Sequence, residues 1–215
     1  MKSRITSHFF VFGAAALVLG AATSRPVQAA PSGGMPLFGS VDLSKLQAQS
    51  TKSTKYNADL HALQERLDYS FKQQAASLML SASDQAELGT SLSKTSPTDT
   101  DRARVADLQA KSIAAAKEYT DLQQKPNPTP ADTSRLATLA GEYSANQASL
   151  QKIGDQYQVQ IKALSDKDTA DFTQDVKAAI MAVAKQQGLT VVFDSSVAIY
   201  TSNDITDEVV KRINK

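Results

Sequence analysis

The chain has 215 residues, 23 basic and 22 acidic side chains, seven Phe, six Tyr, and neither Cys nor Trp. Without cysteine there is no disulfide framework and no lipid anchor on an N-terminal Cys, and a near-neutral chain with no basic stripe lacks the footprint of a nucleic-acid binder. Much Ala, Gln, Ser, Leu and Lys with few aromatic residues makes helix more readily than a thick core, so long helices packed in pairs are expected.

At the N-terminus Lys2 and Arg4 precede an apolar run from Phe9 to Ala22, and Val27-Gln28-Ala29 is a small-residue cleavage pattern. Residues 1–29 therefore read as a secretory signal peptide. The run is shorter than the roughly 20 apolar residues of a membrane-spanning helix, and no comparable stretch follows it. Cleavage after Ala29 removes Lys2, Arg4 and Arg25 and no acid, leaving 20 basic against 22 acidic residues, a net charge of −2. An exported protein with no integral membrane segment after cleavage is expected.

Residues 30–44 hold a flexible Pro31-Ser-Gly-Gly stretch and then Leu37-Phe38-Gly39-Ser40-Val41, a short apolar run ending at Asp42 that predicts one buried strand. Asp42 or Ser44 can cap the helix that follows. From there Tyr56, Leu60, Leu63, Leu67, Phe71 and Leu78 fall at spacings of four, three, four, four and seven, a helical stripe close to a heptad. Ser81-Ala82-Ser83-Asp84 offers a second cap, for a helix to about Lys94.

Two breaks then resemble each other at an offset of 31 residues: Ser96-Pro97-Thr98 leads to Arg104-Val105 and Leu108, and Asn127-Pro128-Thr129 to Arg135-Leu136 and Leu139. In each the Thr accepts from the first turn of a helix and an Asp three residues on, Asp101 or Asp132, reaches back to complete a capping box. These predict duplicated, Pro-Thr capped helices at 96–125 and 127–155. Two copies are too few for a solenoid, so the whole of 45–188 reads as one helical hairpin.

The returning stripe carries Leu139, Tyr143, Leu150, Ile153, Tyr157, Ile161 and Leu164, then Phe172, Val176, Ile180 and Val183. Unbroken from Thr129 to Gln187 it would run roughly 90 Å at about 1.5 Å per residue; Gly154-Asp155 is a possible break. A hairpin whose ends meet needs an even number of traverses, so either residues 95–125 form a small bundle at the tip or the chain turns again near Gly154. The helix seam is expected at Tyr56, Leu60, Leu63, Leu67, Leu150, Tyr157, Ile161 and Leu164.

Gly188 suits the left-handed end of a helix. Leu189 to Asp194 and Val197 to Thr201 are β-branched runs separated by Asp194-Ser195-Ser196, which predicts a β-hairpin. Asp204 or Thr206 caps a last short helix with Val209, Val210 and Ile213 on one side and Lys211, Arg212 and Lys215 at its C-terminal end.

The stretch from Gly188 to Asn214 (GLTVVFDSSVAIYTSNDITDEVVKRIN) resembles the closing segment of OmpH/Skp proteins, periplasmic chaperones, and the order of elements is similar: signal peptide, a first strand Phe38-Gly-Ser-Val-Asp-Leu-Ser-Lys, a long helical excursion, two strands and a terminal helix. The resemblance implies a mainly α fold with a small β body. In that fold a long antiparallel coiled-coil hairpin projects as a tentacle from a trimerisation body to which each chain gives three strands. The body residues would be Phe38, Val41, Leu189, Val191, Phe193, Ala198, Ile199, Tyr200, Val209 and Ile213. It also implies an ATP-independent holdase that binds unfolded outer-membrane proteins in a cavity between the arms of a homotrimer. Three strands and a short helix bury too little surface to be stable alone, so pooling them from several copies is physically sensible. The arms of the family are basic, whereas the helical segments here are nearly neutral, so no basic site is carried over.

No constellation for catalysis stands out: there is no Gly-rich phosphate loop, serine triad pattern or nucleophilic cysteine, and no cofactor is implied. His61 is the single histidine after cleavage and reads as a helix-surface or seam residue. Asp166, Asp168 and Asp171 lack the Gly and Glu spacing of a calcium loop and read as a solvated helix face or a local recapping after Ser165. Tyr56, Tyr143 and Tyr157 lie on the apolar stripes and read as coiled-coil core, with Tyr69 and Tyr119 less committed. The competing function is a structural coiled-coil spacer or assembly factor of the envelope.

Overall fold

The computed structural model describes residues 37–198 and 200–215. The expected signal peptide, the segment after it and Ile199 lie outside the described residues. The described chain is mostly helical, in the order β1 (Phe38–Val41), α1 (Leu43–Gln49), α2 (Thr51–Ala75), α3 (Ala82–Ser93), α4 (Asp99–Gln123), α5 (Pro130–Gln187), β2 (Val191–Asp194) and α6 (Thr206–Ile213).

The two strands pair in parallel, with Phe38 opposite Val191 and Val41 opposite Asp194. Parallel strands need a crossover, and here the crossover is the entire helical excursion. The other edge of β1 is taken by Asn203 to Ile205: the Ser40 N–H donates to the Asn203 carbonyl at 2.8 Å and the Ile205 N–H to the Ser40 carbonyl at 2.9 Å. Gly39 leaves room where these strands meet: a Cβ there would lie 2.6 Å from Leu189 Cδ1, so that this side chain would have to shift, and 3.2 Å from the Asn203 carbonyl oxygen.

This arrangement corrects the expected β-hairpin and the count of three strands. Among the described residues Val197, Ala198, Tyr200 and Thr201 form no strand beside β2. The Asp194 carbonyl accepts from the Val197 and Ala198 N–H groups, and its carboxylate accepts from the Ser196 N–H. The resulting tight turn rotates the chain away from β2, and the edge of β1 takes the Asn203 segment as a single bridge between Ser40 and Asp204.

Beneath the sheet lies the body core of Val41, Leu46, Ala179, Val183, Ile205, Val209 and Ile213, each less than 6% exposed. Burying an aliphatic side chain of this size contributes about 1.5–3 kcal/mol. Asp42 caps α1 by accepting from the Lys45 N–H, and Ser50 ends α1 and caps α2. That kink is clamped from the far end of the chain: Asn214 Oδ1 accepts from the Thr51 N–H and its Nδ2 donates to the Gln49 carbonyl, both at 2.9 Å.

The arm makes four traverses. α2 and α5 run antiparallel, tied from Lys52–Asp175 near the body to Ser70–Tyr157 further out. The chain reverses after α2, at residues 76–81, where Ser81 caps α3. α3 returns along α2, with Arg66 reaching Thr95, and α4 then runs outward against α3, with Arg104 bonded to Glu87. α5 comes back unbroken for 58 residues, about 87 Å at 1.5 Å per residue. Gly154 is therefore not a break; it lies within the helix beside Phe71, whose Cε2 would be 3.4 Å from an added Cβ. The extra pair of traverses is α3 with the first half of α4, packed at mid-arm rather than at the tip. The second duplicated helix likewise continues past residue 155 as part of α5. At its end Gly188 adopts φ +68°, the left-handed region that glycine enters without a steric penalty.

The 31-residue offset is structural as well as sequential. Thr98 and Thr129 each form a reciprocal capping box with Asp101 and Asp132. Lys94 and Lys125 bond those same aspartates, and Arg104 and Arg135 each grip a glutamate, Glu87 and Glu118, through two nitrogens. One corner, used twice, turns α3 into α4 and α4 into α5.

The lysine partner first, together with the Thr bonds, holds the Asp101 and Asp132 carboxyls at about 2. A depressed carboxylate pKa gives stability that is complete above the ordinary aspartate range and is lost as pH falls through the folded value. We expect a carboxyl NMR titration to place both residues near pH 2, and the corners to persist at pH 3; midpoints near 4 would show that the boxes do not form.

Candidate functional site

Among the described residues no group of three His, Cys, Asp or Glu side chains is placed to hold a metal ion, and His61 is exposed on α2. The acidic cluster is split: Asp166 pairs with Lys162 and Asp171 with Lys167, each at 2.5 Å. Asp168 turns toward the seam, where burial first and then the Asp59 charge across it push its carboxyl upward. The chemistry on offer is recognition by apolar and neutral polar surface, at two places.

The first is the body. Alternation along β1 and β2 puts Gly39, Val41 and Val192 toward the core and Phe38, Val191 and Phe193 on the opposite face. There Phe38, Val191 and Phe193 remain 39–45% exposed, and the Phe38 and Phe193 rings lie 6.0 Å apart. Beside them Val197 and Tyr200 are 74% and 86% exposed. Of the other residues expected in the body, Val41, Val209 and Ile213 are buried in the chain's own core, Leu189 packs against it, Ala198 is half-buried, and Ile199 lies outside the described residues.

The second is the arm. Among the expected seam residues Leu67 is buried, and Tyr56, Leu60, Leu63, Leu150, Tyr157, Ile161 and Leu164 are half-buried. Tyr143 is more exposed, at 41%. Polar groups interrupt this seam where the four traverses meet. The Tyr157 hydroxyl bonds Ser70 at 2.8 Å and accepts from Gln74 at 3.2 Å. The buried Asn146 amide donates to the Leu78 and Leu80 carbonyls at 3.0 and 2.7 Å, satisfying the backbone at the point where the chain reverses. Between α3 and α4 a separate apolar cluster forms from Leu80, Leu88, Leu92, Val105 and Leu108. This inserted hairpin does not close fully on α2: a groove of about 770 Å³ runs between them, floored by Leu63, Leu92, Val105 and Leu164.

The groove is not legible in the sequence, because it depends on the direction of α3, which no cap states. The polar residues Ser70, Gln74 and Asn146 carried a signal that was available: they fall on helix faces that the apolar stripe should have filled.

The sequence of residues 94–213, more than half of the chain, matches the family described as outer membrane protein (OmpH-like). The chain belongs to the OmpH-like family, and membership points to a chaperone-like role in the periplasm. No curated protein and no solved structure matches it. Among the described residues no helix is long and apolar enough to cross a membrane.

Replacing Asn146 with Ala leaves two carbonyls at the reversal without their donor. An unsatisfied buried polar group costs about 1–3 kcal/mol, so the urea midpoint should fall accordingly. A loss below about 0.5 kcal/mol, typical of an ordinary surface substitution, would show that the amide is not closing the turn.

Proposed function

We propose that the chain is an ATP-independent holdase of the periplasm. It reaches that compartment through the signal peptide at 1–29 and keeps unfolded outer-membrane proteins from aggregating in a cavity between the arms of a homotrimer. The family match over residues 94–213 carries this reading. Two features of the molecule support it. The sheet presents Phe38, Val191 and Phe193 on a face that the chain's own core does not cover, the pattern expected of a body completed by other copies. The arm interior mixes Leu with Ser, Gln and Asn, so its helices are held by contacts weak enough to shift around clients of different size.

A spacer or assembly factor is favoured by one observation, the electrical neutrality of the arm. Lys55, Lys72, Lys117, Lys162 and Lys167 each pair with an aspartate four residues away, leaving little field to draw clients in. Cross-linking in living cells separates the two readings: many unfolded outer-membrane proteins as adducts mark the chaperone, one constant folded partner the spacer.

The purified mature protein should sediment as three chains and keep a chemically denatured porin soluble without ATP at a few-fold molar excess. Phe193→Glu should shift it toward single chains. A porin that aggregates at the same rate with and without the protein would remove the holdase reading.

A further inference from the structure

Near the body, the seam face of α5 is interrupted by one carboxylate. Asp168 lies four residues from both Leu164 and Phe172, which places it on their face of the helix, and it is half-buried there. The other carboxylates along this part of the arm each hold a cation: Asp59 has Lys55, Asp166 has Lys162, Asp171 has Lys167 and Asp175 has Lys52. Among the described residues Asp168 has neither an ion-pair nor a hydrogen-bond partner. The charges that act on it are Lys55 and Asp59 from α2 and Lys167 and Asp171 from α5 itself, with Tyr56 close to both lysines. The corner between α3 and α4 brings Lys94, Asp101 and Arg102 to the groove that Asp59 and Arg66 also line. There Lys94 bonds Asp101, Arg102 bonds Asp99, and Arg66 donates to Thr95 at 3.3 Å. Burial first, and then the Asp59 charge, outweigh the lysines and hold the Asp168 carboxyl above the ordinary aspartate value.

We propose that Asp168 is a pH-sensitive wedge in the arm: ionised, it keeps the α2–α5 seam from closing fully near the body, and protonated, it packs between Leu164 and Phe172, so that acid stiffens the arm. The device belongs to a single arm and goes beyond the holdase reading, since it operates whether the arm encloses clients or spaces partners. A carboxyl that binds its proton more readily in the folded chain than in the unfolded one gives stability that is complete below the unfolded value and is lost as pH rises through the folded one. Asp101 and Asp132, held at about 2, act in the opposite sense and below the ordinary aspartate range. The wedge and the corners therefore respond in separate pH windows.

The chain has no cysteine, so Ala58→Cys and Ala170→Cys, both exposed, one on α2 and one on α5, carry a spin-label pair across the seam. The labelled protein is diluted with unlabelled chains, so that only distances within one arm are read. The distance distribution should be broad at pH 7 and should narrow and shorten as pH falls to about 4.5, still above the ordinary aspartate value. Asp168→Asn and Asp168→Leu should give the narrow distribution at pH 7, abolish the response to pH, and raise the thermal midpoint at pH 7 by roughly 2–4 °C. Asp171→Asn, which removes a carboxylate already held by Lys167, should leave the response in place. A distribution that ignores pH in the parent protein, or a response that survives both Asp168 substitutions, overturns the proposal. A response lost equally in Asp171→Asn belongs to the charge of the seam as a whole and overturns it too. A carboxyl NMR titration of the unsubstituted protein needs no variant to fold: the Asp168 midpoint should lie above the ordinary aspartate value, and a midpoint at or below it also overturns the assignment.

Discussion

The structure depends on one parallel strand pair between chain ends about 150 residues apart. β1 lies between β2 and the Asn203 to Ile205 segment, and bonds to both sides come from residues that flank or follow the arm. Closing so long a loop is less costly than it looks, since the entropy grows only with the logarithm of length, but it must be repaid locally. The repayment is the core under the sheet, from Val41 to Ile213, and a set of long-range polar contacts. Among these are Asn214 on the α1–α2 kink, the Asp42 N–H on the Thr206 hydroxyl, and Lys45 on Asp207. With the ends joined, the helices between them have no choice but to leave and come back.

That requirement explains the arm. An even number of traverses is needed, and the chain makes four by using one kind of corner twice and adding a reversal at 76–81. The corners are locally specified, each carrying its own cap, lysine and arginine clamp, and are exposed, so each ion pair contributes little by itself. Their value is geometric: a reciprocal cap fixes where a helix starts, and a bidentate arginine fixes which helix it lies against. The reversal is specified from a distance, by Asn146 on α5. Local corners and a distant clamp together place the inserted hairpin beside α2, and the groove follows from that placement.

Much of this was legible in the sequence where the signal is local. The caps at Asp42, Ser81, Thr98 and Thr129, the end at Gly188 and the stripe of Leu60, Leu63 and Leu67 rest on neighbours within one or two helical turns. What was not legible depends on partners far along the chain. Val197 to Thr201 has the composition of a strand, but Ser40 and Asn203 decide which segment occupies the edge of β1. Gly154 looks like a break, yet α5 runs through it unbroken. The outer face of the body follows from the same alternation, which turns Val41 and Val192 toward the core and leaves Phe38 and Phe193 exposed. Family membership and geometry therefore inform different levels: the first the role, the second the surfaces that could perform it.

The architecture stands on β1 being held on both edges, and amide hydrogen exchange measures that directly. The N–H groups of Ser40, Thr190, Ser195 and Ile205, which bond across the body, should exchange only with global unfolding, alongside the amides of Val183 and Val209 in the core. If those four exchange as fast as the exposed amides at the corners while the α5 core stays protected, the chain ends are not joined as described and the arm has no body to stand on.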